Sequence, residues 1–252
     1  MMRPFFRRYG GKWLLARYCP PPAHDLIIEP FAGAAGYSVR YGANRAVALF
    51  DTSPRVTAIW DWLLGASVAD VLALPVAPIH AGADVRTLGL AKSPMLLIQS
   101  WLTTQGSITN WRMTPMLRAS VTNKPGSVWS NRVRDRIAAQ LPLISRWTIT
   151  QAPFTAAPDV TATWHVDPPY QHNRYALSEY QTDPLDYAAM ATWCQDRRGQ
   201  VMVHEQQGAT WAPFIPWRTG QTGCRRQYGT SKTCQEVLWQ PHNAHLTPND
   251  CE

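Results

Sequence analysis

Residues 25–51 read DLIIEPFAGAAGYSVRYGANRAVALFD, and this stretch decides the fold. Residues 25–29 (DLIIE) have the short apolar run of a buried strand. A turn of small residues follows, Pro30-Phe31-Ala32-Gly33-Ala34-Ala35-Gly36, and a helix begins after it. Residues 45–50 (RAVALF) form a second apolar run that ends at Asp51. Ser53-Pro54 then suits a helix start, with Pro at the first helical position, and residues 55–64 (RVTAIWDWLL) continue it. Strand, turn, helix, strand and helix in this order are the opening of a doubly wound α/β sheet.

The alternation then stops. Residues 66–145 hold helical patterns at 92–104 (KSPMLLIQSWLTT) and 131–141 (NRVRDRIAAQL), with a polar stretch, 105–130, between them. Trp101, Trp111, Arg112, Arg118, Trp129, Arg132, Arg134 and Arg136 fall here. We read 66–145 as a mostly helical insertion in a domain formed by 1–65 and 146–252. Arg and aromatic side chains together suit phosphate and base contacts. A helical subdomain with solvated arginines is the plainer alternative. Strand signals return at 146–150 (RWTIT) and 161–166 (TATWHV), then a helix near 184–197 and a strand at 200–204. The tail at 214–240, with Gly220, Gly223 and Gly229, suggests hairpins.

The chain has 252 residues, enough for one α/β domain with an insertion. Hydrophobic residues make up 45% and charged residues only 16%, which argues against large-scale disorder. Lys and Arg number 24 against 17 Asp and Glu, a net charge of +7, so a polyanionic partner is expected, nucleic acid first. The five cysteines, Cys19, Cys194, Cys224, Cys234 and Cys251, form no CxxC pair and read as free thiols in a reducing compartment. Cys224, Cys234, His242 and His245 fit no common zinc-finger spacing, so no metal is expected. No run of about 18 apolar residues occurs, and a cytoplasmic location without a membrane partner is expected.

Three elements carry chemistry. After the first strand, the small-residue turn Glu29-Pro30-Phe31-Ala32-Gly33 lets backbone approach a ligand, and the helix that follows offers free N–H groups. Asp51, at the end of the next strand, suits the two ribose hydroxyls of a nucleoside ligand. The turn is not GxGxxG, which disfavours a dinucleotide. The second element is Asp167-Pro168-Pro169-Tyr170, directly after an apolar strand. Its two prolines hold a rigid extended backbone, remove two N–H donors and leave carbonyl acceptors free. With the carboxylate of Asp167, that set can receive both protons of an exocyclic amino group, whose lone pair is then localised for in-line attack on a methyl sulfonium. The base must leave the duplex to be reached, and Tyr170 offers it an aromatic face. The third element, Tyr9-Gly10-Gly11-Lys12, is not a phosphate loop, because GxxxxGK[ST] is absent; Lys12 suits the carboxylate of an amino-acid-bearing ligand.

In this order the three elements resemble the Dam-type adenine-specific DNA methyltransferases, which carry an aromatic-GGK, a PFxGxG-like turn, a helical recognition insertion and DPPY. The resemblance runs from about Tyr9 to about Trp239. It implies a Rossmann-like, S-adenosylmethionine-dependent methyltransferase sheet, mostly parallel, with a reversed final hairpin. It implies methyl transfer from S-adenosylmethionine to the N6 amino group of adenine in double-stranded DNA, leaving S-adenosylhomocysteine. Tyr9, Lys12, Glu29, Phe31, Ala32, Gly33, Asp51 and Phe154 would border the cofactor, and Asp167 would sit between cofactor and adenine. Pro168 would contribute its carbonyl, Pro169 would hold the rigid turn, and Tyr170 would stack on the base. Where the family turn reads GxG, this chain has Gly33-Ala34-Ala35-Gly36.

Arg112, Arg118 and Arg132 in the insertion, and Arg225, Arg226 and Lys232 in a basic loop before the last strand, are candidate DNA contacts. Residues 171–183 read as a substrate lid. His204-Glu205 reads as a satisfied structural pair before it reads as a general base. An RNA methyltransferase and a catalytically silent nucleic-acid-binding protein are the alternatives. No endonuclease motif or obligatory protein partner is evident, and a compact orphan enzyme of phage or prophage type is the analogy that fits.

Overall fold

The computed structural model describes residues 1–76, 82–102, 110–172, 185–220 and 234–242. The apolar run after Asp25 forms β1 (Leu26–Glu29), and the small-residue turn leads into α1 (Gly36–Tyr41). β2 (Ala46–Asp51) lies parallel to β1, with Ile28 opposite Ala48, and α2 (Pro54–Gly65) follows with Pro at its first turn. Then come α3 (Val68–Leu72), α4 (Lys92–Ser100), α5 (Pro115–Asn123) and α6 (Asn131–Gln140). The chain returns to the sheet through β3 (Trp147–Gln151), β4 (Ala162–Val166), α7 (Tyr187–Gln195) and β5 (Gly199–Gln206). β6 (Ile215–Gly220) and β7 (Cys234–Trp239) complete it.

The seven strands are ordered β3-β2-β1-β4-β5-β7-β6. β7 runs antiparallel to both β5 and β6, and every other pair is parallel. The fold is therefore α/β with a mostly parallel, Rossmann-like sheet, and its last two strands form the hairpin expected from the 214–240 pattern. The chain moves outward from β1 to β3 on one side and from β4 on the other. This places a topological switch between β1 and β4, where open α/β sheets bind ligands.

The helices of 66–145 share one apolar cluster with a sheet face, α2 and the N-terminal segment: Val47, Leu49, Trp60, Leu97, Val133 and Ile137 all belong to it. Met2, Phe5 and Phe6 are buried in the same cluster, with the Phe5 and Phe6 rings 5.6 and 5.3 Å from the Trp60 ring. The aromatic N-terminus is thus core, a role its basic composition conceals. The opposite sheet face packs Ile28, Trp164, Val166 and Val203 against Met190 and Cys194 of α7. Within the polar stretch 105–130 the structure has a helix where composition showed only a connection. α5 starts there because the Thr114 side chain accepts from the Leu117 amide and Pro115 occupies the first turn.

Candidate active site at the sheet switch point

A cleft of about 660 Å³, open to solvent, lies beyond the carboxyl ends of β1 and β4. Its walls come from three segments. Gly10, Gly11 and Lys12 form one side, Phe31 to Ala34 a second, and Asp167 to Tyr170 the third. Tyr9, Lys12, Glu29, Phe31, Ala32, Gly33, Asp167, Pro168, Pro169 and Tyr170 all line it. Asp51 and Phe154 stand behind the wall: Asp51 accepts from Gly33, and the Phe154 ring stacks on Phe31 at 5.4 Å.

The turn after β1 is held open by backbone geometry. Gly33 has φ 47°, and its carbonyl accepts from the Trp60 indole at 2.9 Å. Ala35 sits in the left-handed region at φ 48°, ψ 53°, a conformation that costs an alanine about 1–2 kcal/mol. Asp51 is 4% exposed; one oxygen accepts from the Gly33 amide at 2.9 Å and the other from the Ser53 amide at 2.8 Å. Burial pushes its pKa up, against the opposing pull of Arg8 and of those two amides. Glu29 spends one oxygen on the Ser38 amide at 2.7 Å, tying down the start of α1, and places the other 3.3 Å from His165 Nδ1.

Lys12 is the electrostatic centre. It is 6% exposed, its Nζ lies 3.1 Å from Asp167 and 3.9 Å from Glu236, and it donates to the Gly10 carbonyl at 3.1 Å. Burial would lower its pKa, but Asp167 and Glu236, with Glu205 further off, outweigh burial and raise it. Its ammonium also sits 4.7 Å from the centre of the Tyr170 ring. Tyr170 is 8% exposed and donates its hydroxyl to Glu236. Where the sequence offered Tyr170 as an open aromatic face, the structure makes it a wall of the cleft, held at both ring and hydroxyl. Burial drives the Glu236 pKa up, and Lys12 and Tyr170 draw it back only in part. The Pro169 carbonyl accepts from the Tyr187 hydroxyl at 2.8 Å. Among the described residues nothing donates to the Pro168 carbonyl.

Sequence reasoning missed Glu236 and Arg8. Glu236 comes from the last strand, whose neighbours are fixed only by sheet register. Arg8 precedes the glycines, and its side chain runs over Gly33. His204 and Glu205 prove not to be a pair. As neighbours on one strand they point to opposite faces. Glu205 accepts from the Gln171 amide and the Trp211 indole at 2.9 and 3.0 Å, whereas His204 packs against Cys19 and His165.

Of the candidate DNA contacts, Arg112 is ion-paired with Asp84 at 3.5 Å, while Arg118 and Arg132 are exposed. A denser basic group lies beside them. Arg7 and Arg136 place their guanidinium carbons 5.0 and 5.1 Å from the centre of the Trp101 ring. Arg136 is pushed down to about 10, by burial first and then by the like charges of Arg3, Arg7 and Arg132. Arg225, Arg226, Lys232, the zinc candidates Cys224 and His245, and most of the expected lid lie outside the described residues. His242 spends Nε2 on the Arg197 carbonyl at 2.7 Å. No described helix is long and apolar enough to cross a membrane. Comparison of the sequence with known protein families and with curated proteins finds no match.

Proposed function

We propose that this chain is an S-adenosylmethionine-dependent DNA methyltransferase that acts on the N6 amino group of adenine. The observation that carries the reading is the pairing, at one cleft, of Asp167 and a Pro168 carbonyl that receives no donor from the described residues with the glycine turn of β1. Two acceptors on a rigid backbone fit the two N–H bonds of an exocyclic amine. The glycine turn and Lys12 fit the amino-acid end of the cofactor, and Phe31 fits its nucleoside end, with Asp51 and Phe154 bracing that turn from behind.

The charge balance supports a cationic methyl donor. Asp167, Glu236 and Glu205 act on the ammonium of Lys12, and with Arg8 as the second cation of the cleft the acidic groups still outnumber the cations there. A sulfonium and the positive charge that develops on the attacking nitrogen would both be stabilised. In the proposed step the N6 lone pair attacks the methyl carbon and the carbon–sulfur bond breaks to the neutral thioether. The surplus proton on nitrogen then leaves to solvent. Asp167 and the Pro168 carbonyl orient the nitrogen, and no covalent enzyme intermediate forms. The sheet order with a reversed terminal hairpin agrees with the resemblance. Arg118 and Arg132, exposed on the helical side, are suited to phosphate contact.

Incubation with labelled S-adenosylmethionine and unmethylated duplex DNA, followed by digestion to nucleosides, tests the reading. Labelled N6-methyladenine is the expected product. Label appearing only in RNA moves the substrate. Cofactor binding without label in either refutes the reaction.

A further inference from the structure

Beneath the cleft floor lies a second group of chemically active side chains that methyl transfer does not use. Cys19 follows a single 3-10 turn, Ala16–Tyr18, while His165 belongs to β4 and His204 to β5. The register sets His165 opposite Met202, so by strand alternation His165 and His204 project from the same sheet face. The two rings are 4.7 Å apart, and Cys19 Sγ lies 3.8 Å from His204 Nε2. One ligand atom from each of the three residues lies within 4.8 Å of the other two. All three are deeply buried, at 5%, 1% and 0% exposure for Cys19, His165 and His204.

The hydrogen bonding of this group is incomplete. Among the described residues, neither ring nitrogen of His165 nor Nδ1 of His204 makes a well-formed hydrogen bond, although a Glu29 oxygen lies 3.3 Å from His165 Nδ1. Each buried polar atom left so costs about 1–3 kcal/mol. His165 Nε2 and His204 Nδ1, deeply buried beside a thiol, call for a ligand.

We propose that Cys19, His165 and His204 bind one thiophilic divalent cation of the zinc class. One sulfur and two imidazoles are a ligand set such ions take, with a fourth position left for water. Bond lengths of about 2.0–2.3 Å require ligand atoms roughly 3.3–3.8 Å apart, so the group must contract by about 1 Å at its widest. The Cys19–His204 separation already meets that. Glu29, with an oxygen 3.3 Å from His165 Nδ1, supplies the outer carboxylate that fixes a ligating imidazole and leaves Nε2 for the metal. Binding forms one metal–sulfur and two metal–nitrogen bonds, displaces water from the ion, and releases the thiol proton to solvent. The ion would tie the segment that carries Lys12 to β4 and β5.

Cobalt(II), then zinc(II), is titrated into metal-free full-length protein, with proton release followed by calorimetry in buffers of different ionisation enthalpy. One equivalent should bind, releasing one proton and giving a thiolate-to-cobalt charge-transfer band that zinc abolishes. The band should vanish in Cys19→Ala and persist in Cys194→Ala and in the Cys224→Ala, Cys234→Ala double variant. X-ray absorption on the zinc-loaded wild type gives a readout that needs no variant, with one sulfur and two imidazoles expected at the metal. No stoichiometric binding, a band that survives Cys19→Ala, or a shell without sulfur would overturn the proposal. None of these readouts depends on methyl transfer.

Discussion

Gly36→Ala puts the geometry of the site to a test of sign. Gly36 is the first residue of α1, and helix propensity alone would make alanine there more stable by about 0.5–1 kcal/mol. The structure demands the opposite. A Cβ on Gly36 would lie 2.6 Å from the Trp13 amide nitrogen and 2.9 Å from both the nitrogen and the carbonyl carbon of Lys12. Ordinary contact begins at 3.4 Å, so the chain at Trp13 must retreat by 3.4 − 2.6 = 0.8 Å. The atoms are backbone, so no side-chain rotation relieves the overlap. The segment is pinned by the Trp13 indole on the Met2 carbonyl and by the Ala16 amide on the Lys12 carbonyl. Overpacking of this kind costs about 1–3 kcal/mol. A shift of that size moves Lys12 relative to Asp167, and a misplacement of about 1 Å costs on the order of 100-fold in rate. Gly65→Ala is the control: it ends α2 with nothing within 4 Å of the new methyl, and should gain up to about 1 kcal/mol. Urea denaturation of the three proteins gives the signs, and turnover with labelled cofactor gives the rate. If Gly36→Ala matches Gly65→Ala in stability and the wild type in rate, the close approach of the Lys12 segment to α1 is wrong.

Asp167→Ala should lower methylation by at least about 100-fold, with far-ultraviolet circular dichroism and duplex affinity unchanged; wild-type turnover would remove Asp167 from the reaction. Lys12→Met leaves Glu236 and Asp167 without their cation and should destabilise by about 3–5 kcal/mol, and adding Glu236→Gln should recover part of that loss; additive effects in a double-mutant cycle would show that the pair is uncoupled. Asp51 has a folded pKa above its unfolded value, so its contribution is complete below the unfolded value of 3.8 and is lost as pH rises through the folded one. The stability advantage of wild type over Asp51→Asn should therefore shrink as pH rises across that window, and a widening gap in thermal melts would reverse the assigned sign. Duplex binding should weaken steeply with salt, with a log–log slope about one unit shallower in Arg132→Ala; a flat response would take the basic helical side out of DNA binding.

What could be read in the sequence follows from locality. The turn of residues 30–36 and the Asp167-Pro168-Pro169-Tyr170 step were legible because apolar runs, prolines and glycines act on their own neighbourhood. The switch point followed from the order of those runs. The two segments meet at one cleft because β1 and β4 are neighbours. The partners of Lys12 and Tyr170 were not legible. Glu236 reaches them through an antiparallel strand whose register the residues of β7 do not announce. His204-Glu205 failed for a different reason: alternation along β5, which is local, sends adjacent residues to opposite faces and so to different environments. α5 was overlooked because only Leu117 in it is buried, so it has almost no apolar period to detect.

The arrangement of charge links the two proposals. Burying several carboxylates around one ammonium is costly unless further positive charge arrives, because charges in a low-dielectric interior are stable only when matched. Glu205 and Glu236 both have pKa values raised by burial, which marks that mismatch. A methyl sulfonium at the cleft mouth would act on Asp167, the carboxylate nearest solvent. A divalent ion on Cys19, His165 and His204 would act from beneath, facing Glu29. The two cations would act on different carboxylates but would repel each other across His165, which lines the cleft and belongs to the buried cluster. The new thiolate would screen that repulsion, since Cys19 loses its proton as the metal arrives and only one net charge is added.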